Sequence, residues 1–154
     1  MTTKKIQIED ANILIMGLTF KENCTDIRNT RVVDLVKKFK SVKCNVDVFD
    51  PWVDSEVVQK TYNITSIPSL KNNYYDAVII AVSHTYFKEL GIENIKNFAK
   101  QNSVLYDIKY IFDASEVDGR LWMDKYEELT DYHLTYKIVY EMGDVIDWFI
   151  KDSK

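Results

Sequence analysis

The chain has 154 residues, 46% hydrophobic and 29% charged, which is enough apolar mass for one compact core and too little charge bias for a disordered chain. Its formal net charge of -4 arises entirely beyond residue 120: residues 1–120 carry 16 Lys+Arg against 16 Asp+Glu, and residues 121–154 carry 4 against 8. A neutral body with an acidic tail has no general attraction for nucleic acid or an anionic membrane, and no apolar run here is long enough to span a bilayer or form a signal-peptide core, so a cytoplasmic protein is expected.

Asn12 to Leu18 (NILIMGL) is nearly continuous in its hydrophobicity, as a parallel strand covered on both faces requires. After a polar loop, Asn29 to Phe39 places Val32, Val33, Leu35, Val36 and Phe39 along one side of a helix, with Asp26 or Asn29 available to cap its start. Val46 to Phe49 reads as a second strand, closed by the turn Asp50-Pro51-Trp52, in which Trp52 is better read as a core anchor than as a partner contact. Ser55 to Tyr62 follows as a short helix with Val57, Val58 and Tyr62 inward. Ala77 to Val82 (AVIIAV) is a third buried strand, Glu93 to Lys100 a helix beside Ile92, and Val104 to Asp107 a fourth strand. Strand alternating with helix at this spacing predicts a three-layer α/β/α sandwich around a mainly parallel, Rossmann-like sheet.

Residues 121–154 differ in kind: seven of these 34 residues are aromatic, at roughly helical intervals. They are expected to form one or two amphipathic helices that bury Trp122, Tyr136, Tyr140, Trp148 and Phe149 against the body or against a second copy, as in a homodimer. The chain thus divides into a body, 1–121, and a helical tail, 122–154.

The four glycines, Gly17, Gly91, Gly119 and Gly143, are too widely spaced for a GxGxxG fingerprint or a GxxxxGK[ST] phosphate loop. Two cysteines and two histidines lack ligand-like spacing, so no metal site is expected; Cys24 reads as a loop thiol and Cys44 as a small apolar residue. The informative segment is Gly17-Leu-Thr-Phe-Lys-Glu-Asn-Cys-Thr-Asp-Ile-Arg-Asn-Thr30, because ligands of open α/β sheets sit beyond the carboxyl ends of the strands. Lys21, Arg28 and a helix start suit a phosphate, with Phe20 as an apolar wall, yet the same charges can pair with one another in a solvated loop. His84, at a strand end, is better read as structural than as a ligand, and His133 as packing. Asp107 and Asp113 suit capping or a salt bridge better than a catalytic carboxylate pair.

The segments GLTFKENCTDIRNT, VVDLVKK, VDVFDPWVD, DAVIIAVSH and VLYDIKYIFD, in that order from about Ile8 to Leu121, resemble the C-terminal, nucleotide-sugar-binding domain of the UDP-glucose/GDP-mannose dehydrogenase family. Within the family they are most similar to bacterial UDP-N-acetylhexosamine 6-dehydrogenases serving capsule and O-antigen synthesis. The resemblance implies a UDP-sugar ligand and a full-length enzyme that uses NAD and a cysteine thiohemiacetal to oxidise the sugar C6 to a carboxylate. It also implies an N-terminal NAD-binding domain and a central helical region, neither of which matches this chain. Phe20 and Lys21 match a Phe-Lys pair that contacts the nucleotide sugar, Lys109 a basic residue reaching toward substrate, and Arg28 an arginine facing the cofactor across the cleft. Neither cysteine fits the family's nucleophile, so no catalytic residue is expected here, nor NAD binding or turnover by these residues alone. The tail lies outside the resemblance. The chain reads as an excised or truncated binding domain; a non-catalytic interaction module on the same fold is the alternative.

Overall fold

A computed structural model describes residues 6, 7 and 9–120; the tail and the residues expected to be buried in it lie outside the described residues. Strands β1 (Asn12–Met16), β2 (Asn45–Phe49), β3 (Tyr75–Ile80), β4 (Ala99–Asp107) and β5 (Gly119–Arg120) form one sheet in the order β2-β1-β3-β4-β5. Every pairing is parallel, with Ile13 beside both Val46 and Ala77, and Met16 beside both Phe49 and Ile80. Helices α1 (Val32–Ser41), α2 (Ser55–Tyr62), α3 (Thr85–Leu90) and α4 (Ile92–Phe98) fill the connections. The expected α/β/α sandwich with a parallel, Rossmann-like sheet is therefore present.

The unbroken apolar run of β1 follows from its central place. Successive side chains point to opposite faces, so Ile13 and Ile15 pack with α1, whereas Leu14 and Met16 pack with Phe87 of α3 and Ile95 of α4. Helix α1 buries Val32, Val33, Leu35, Val36 and Phe39 as its periodicity predicts, each worth about 1.5 to 3 kcal/mol when fully withdrawn from water. Lys38 and Lys40 lie in its last turn, where the helix dipole favours cations. The chain then leaves α2 along the β2 edge, with Ser66 bridging to Val48, and crosses to the other face, where Ile67 and Leu70 pack.

Four local expectations are corrected. Val57 is 48% exposed, because Asp54 caps α2 through the amides of Glu56 and Val57 and turns only Val58 fully inward. Trp52 is 41% exposed rather than a core anchor. Neither Asp26 nor Asn29 caps α1; the Thr30 hydroxyl accepts from the Val32 amide, and Asn29 takes a positive φ of 58° in the turn before it. The last helix ends at Phe98, since Ala99 and Lys100 already belong to β4.

Gly17 ends β1 at φ +101°, its amide donating to the Phe49 carbonyl at 2.8 Å. A Cβ there would lie 2.5 Å from the Val82 Cβ, so the β1 and β3 exits run too close together for any side chain. This contact starts the loop after β1 at the sheet's topological switch point.

Candidate functional site

Chain exits diverge where β1 leads to α1 on one face and β3 to α3 on the other, and a cleft opens between them at the carboxyl ends of the strands. It encloses about 530 Å³, counting the solvent at its mouth, and is lined by Thr19 to Glu22, Asn29 to Val32, Ala81, Val82, Ile108 and Lys109. Four elements contribute: the loop after β1, the start of α1, the β3 exit and the β4 exit.

Three cations, Lys21, Arg31 and Lys109, line this cleft against one carboxylate, Glu22. The first turn of α1 also faces it, adding the positive end of a helix dipole. Lys21 Nζ stands 5.8 Å from the Phe20 ring centroid, and Phe20 is 43% exposed, an apolar plate at the cleft's edge. Arg31 reaches Asp34 at 3.5 Å, a half-exposed pair that leaves the guanidinium accessible. Burial pulls the Lys109 ammonium below the ordinary lysine range, while the negative charge of Glu22 opposes that shift.

Two buried carboxylates shape these loops. Asp50, at the end of β2, accepts from the amides of Leu18 (2.6 Å), Thr19 (3.1 Å) and Trp52 (2.8 Å) and from His84 Nε2 (2.9 Å). Burial pushes its carboxyl up, but the imidazole and the amides outweigh burial and hold it below the ordinary carboxylate range. Asp107, at the end of β4, accepts from the amides of Lys109 (3.0 Å) and Phe112 (2.9 Å) and folds the turn that carries Lys109 to the cleft. Here burial wins, and the carboxyl lies above its ordinary value despite the amides of Phe112, Lys109 and Ile111. The Tyr62 hydroxyl donates to the Ile27 carbonyl and fastens the far side of the loop.

The structure brings Phe20, Lys21 and Lys109 into one cleft, 88 residues separating the two lysines in the chain. Arg28 does not line it. Its side chain is 83% exposed and makes a two-pronged pair with Asp26, Nε to Oδ1 and Nη2 to Oδ2 at 3.0 Å each. That guanidinium holds the Asp26 carboxyl down to about 2. His84 is fully buried and hydrogen-bonded by both ring nitrogens, the structural role expected of it. Asp107 caps backbone amides and Asp113 caps Ser115, so they do not act as a pair. Sequence reasoning missed Arg31 and Asp50; the usable signal for Asp50 was an aspartate set directly between a strand end and a proline.

Among the described residues no group of three or more His, Cys, Asp or Glu side chains is placed to hold a metal ion. Cys44 is buried, and burial raises its thiol to about 11, while Cys24 is only partly covered. No helix among the described residues is long and apolar enough to cross a membrane.

A family model described as the UDP binding domain of the UDP-glucose/GDP-mannose dehydrogenase family matches residues 14–114. The chain is 50% identical over 121 residues to a UDP-N-acetyl-D-glucosamine 6-dehydrogenase of Salmonella typhi and 46% identical over 121 residues to one of Pseudomonas aeruginosa. Each match covers 79% of this chain, but only 28% and 29% of those relatives. Protein CapL of Staphylococcus aureus is 34% identical over 119 residues, 76% of this chain and 28% of CapL. In fold the chain resembles a UDP-D-ManNAc dehydrogenase from Pyrococcus horikoshii, at TM-score 0.59 and 24% identity, over 75% of this chain and 26% of the other.

Proposed function

The chain belongs to the UDP-glucose/GDP-mannose dehydrogenase family, and on that premise we propose that its cleft holds the diphosphate of a UDP-sugar for an NAD-dependent 6-dehydrogenase of surface-polysaccharide precursor synthesis. The supporting observation is the meeting of Lys21, Arg31, Lys109 and the start of α1 around one open cleft at the switch point. A diphosphate presents several anionic oxygens within a few ångströms, and cations converging from separate loops suit that shape better than a single charge. Phe20 supplies an apolar face for the uracil or sugar, and Lys109, whose charge burial disfavours, regains it when an anion binds beside it.

The described residues contribute binding, and the chemistry of oxidation falls to segments that this chain's match to its relatives does not include. NAD is read as held by another domain, since the loop after β1 has Gly17 as its one glycine and carries no GxGxxG fingerprint. Arg28, pointing outward from that loop, is the residue available to meet a cofactor held by an NAD-binding domain across the cleft. The protein is accordingly read as cytoplasmic, where nucleotide sugars are available, and as acting together with NAD-binding and central domains.

Calorimetric titration of the chain with UDP-N-acetylglucosamine tests the reading. Saturable binding that weakens about 10- to 150-fold in Lys21→Ala is expected, the range for losing a charge-assisted contact. Binding that is absent, or indifferent to Lys21, overturns it.

A further inference from the structure

His84 is fully buried in the wall behind the cleft without lining it. Asp50 can only accept, so the imidazole carries its proton on Nε2, toward the Asp50 Oδ2 at 2.9 Å. Nδ1 is therefore the acceptor, and it takes the backbone N–H of Asn23 at 2.9 Å. Thr19 Oγ1 lies 3.3 Å from Nε2 and donates its own proton to the Lys21 carbonyl at 2.7 Å.

These contacts flank the same three residues. Thr19 stands before Phe20-Lys21-Glu22 and Asn23 after it, and both are tied to one imidazole. Asn23 sits at φ 53°, and its side-chain amide exchanges two hydrogen bonds with Thr85, its Nδ2 to the hydroxyl at 2.8 Å and its Oδ1 from the amide N–H at 3.0 Å, next to His84. The rings of Phe87 and Trp52 lie beside it, at 5.4 and 6.4 Å between centroids, and Asp50 pairs with the imidazole. Packing against two aromatic rings would suit a phenylalanine equally well. What the imidazole adds is a donor toward β2 and an acceptor toward the loop.

We propose that His84, oriented by Asp50, is a positioning residue that brackets the Phe20-Lys21-Glu22 tip through Thr19 and Asn23 and so fixes Lys21 at the phosphate end of the cleft. The proposal rests on the reading of the cleft as a diphosphate site, with His84 acting through Lys21 and never touching the ligand. His84→Gln keeps a donor at the Nε2 position for Asp50 but leaves no acceptor at the Nδ1 position for the Asn23 amide. Thr19→Val removes, at nearly constant volume, the hydroxyl's contacts with both the Lys21 carbonyl and His84 Nε2, leaving the His84–Asp50 and His84–Asn23 bonds to form.

The test is a double-mutant cycle on UDP affinity in the full 154-residue chain, together with amide hydrogen exchange at Asn23. His84→Gln and Thr19→Val should each weaken UDP binding roughly 5- to 30-fold, the loss expected from one or two hydrogen bonds. In a Lys21→Ala background, His84→Gln should cost less than about threefold more, because the group it positions is gone. Losses that multiply in full, or variants that bind UDP like the wild type, overturn the positioning role. Should His84→Gln not fold, Thr19→Val carries the same cycle. The exchange measurement needs no ligand: in the wild type the Asn23 amide should exchange more slowly than that of exposed Glu22, and equal rates would also overturn the bracket. A wild type that ignores UDP removes the diphosphate reading, while Asn23 exchange still decides whether His84 holds the loop.

Discussion

The Asp50 carboxylate and the His84 imidazole, 34 residues apart in sequence, meet at 2.9 Å with both side chains withdrawn from solvent, joining the exits of β2 and β3 behind the loop that leaves β1. Burying a carboxylate is costly unless its oxygens are satisfied, and Asp50 meets that condition with three backbone amides besides the imidazole. The cleft thus owes its shape to a pair that takes no place in its lining.

Asp50 has a consequence for acid stability. Its native carboxyl titrates below the unfolded value, so its stabilising contribution is complete above the ordinary carboxylate range and is lost as pH falls through the native value. Asp50→Asn should therefore lower the urea midpoint markedly near about pH 7, and the gap to wild type should narrow toward about pH 3. A gap independent of pH would show that the charge of Asp50 is immaterial.

Gly17→Ala should destabilise the chain by about 2 to 4 kcal/mol, combining strain at a φ that side chains avoid with overpacking against Val82. Urea denaturation gives the value directly. A loss below about 0.5 kcal/mol, as for an ordinary surface change, would mean that the β1 and β3 exits part easily.

Lys109→Met should weaken UDP-sugar binding about 10- to 150-fold with little loss of fold stability, since burial already disfavours its charge. Because its ammonium titrates below the ordinary lysine range, affinity should decline on the alkaline side at a lower pH than an exposed lysine would allow. The pH dependence of the binding constant, compared between wild type and Lys109→Met, checks both points.

Arg28→Ala should leave the UDP affinity and melting temperature of this chain unchanged, because its guanidinium is engaged with Asp26 outside the cleft. In a full-length family enzyme the same change should raise the KM for NAD. A loss of UDP affinity in the isolated chain would place Arg28 at the substrate instead.

Much of this architecture is legible in the residues because burial leaves a strong pattern. The doubly covered β1 and β3 write themselves as Ile-Leu-Ile-Met and Ala-Val-Ile-Ile, and α2 follows the Asp50-Pro51-Trp52 turn with the bounds Ser55 to Tyr62 that its residues predict. Elements too short for a period leave none: α3 is six residues long, and β5 is Gly119 and Arg120 alone. Trp52 misleads because a large aromatic after a turn is ordinarily buried, yet here its backbone amide is tied to the Asp50 carboxylate and its side chain stays 41% exposed. The cleft was half legible. Phe20 and Lys21 stand in one polar loop, but the approach of Lys109 depends on the buried turn around Asp107, and the bracket from His84 depends on the hydrogen-bond direction of one ring. Neither is a matter of spacing.

Comparing UDP with uridine in calorimetric titrations of this chain tests the central claim most directly, because the two ligands differ only in the diphosphate. UDP should bind at least about tenfold more tightly than uridine, and Lys21→Ala should remove most of that difference. Equal affinity for the two ligands, or a UDP preference untouched by Lys21→Ala, would contradict a diphosphate site built on Lys21 and its neighbours.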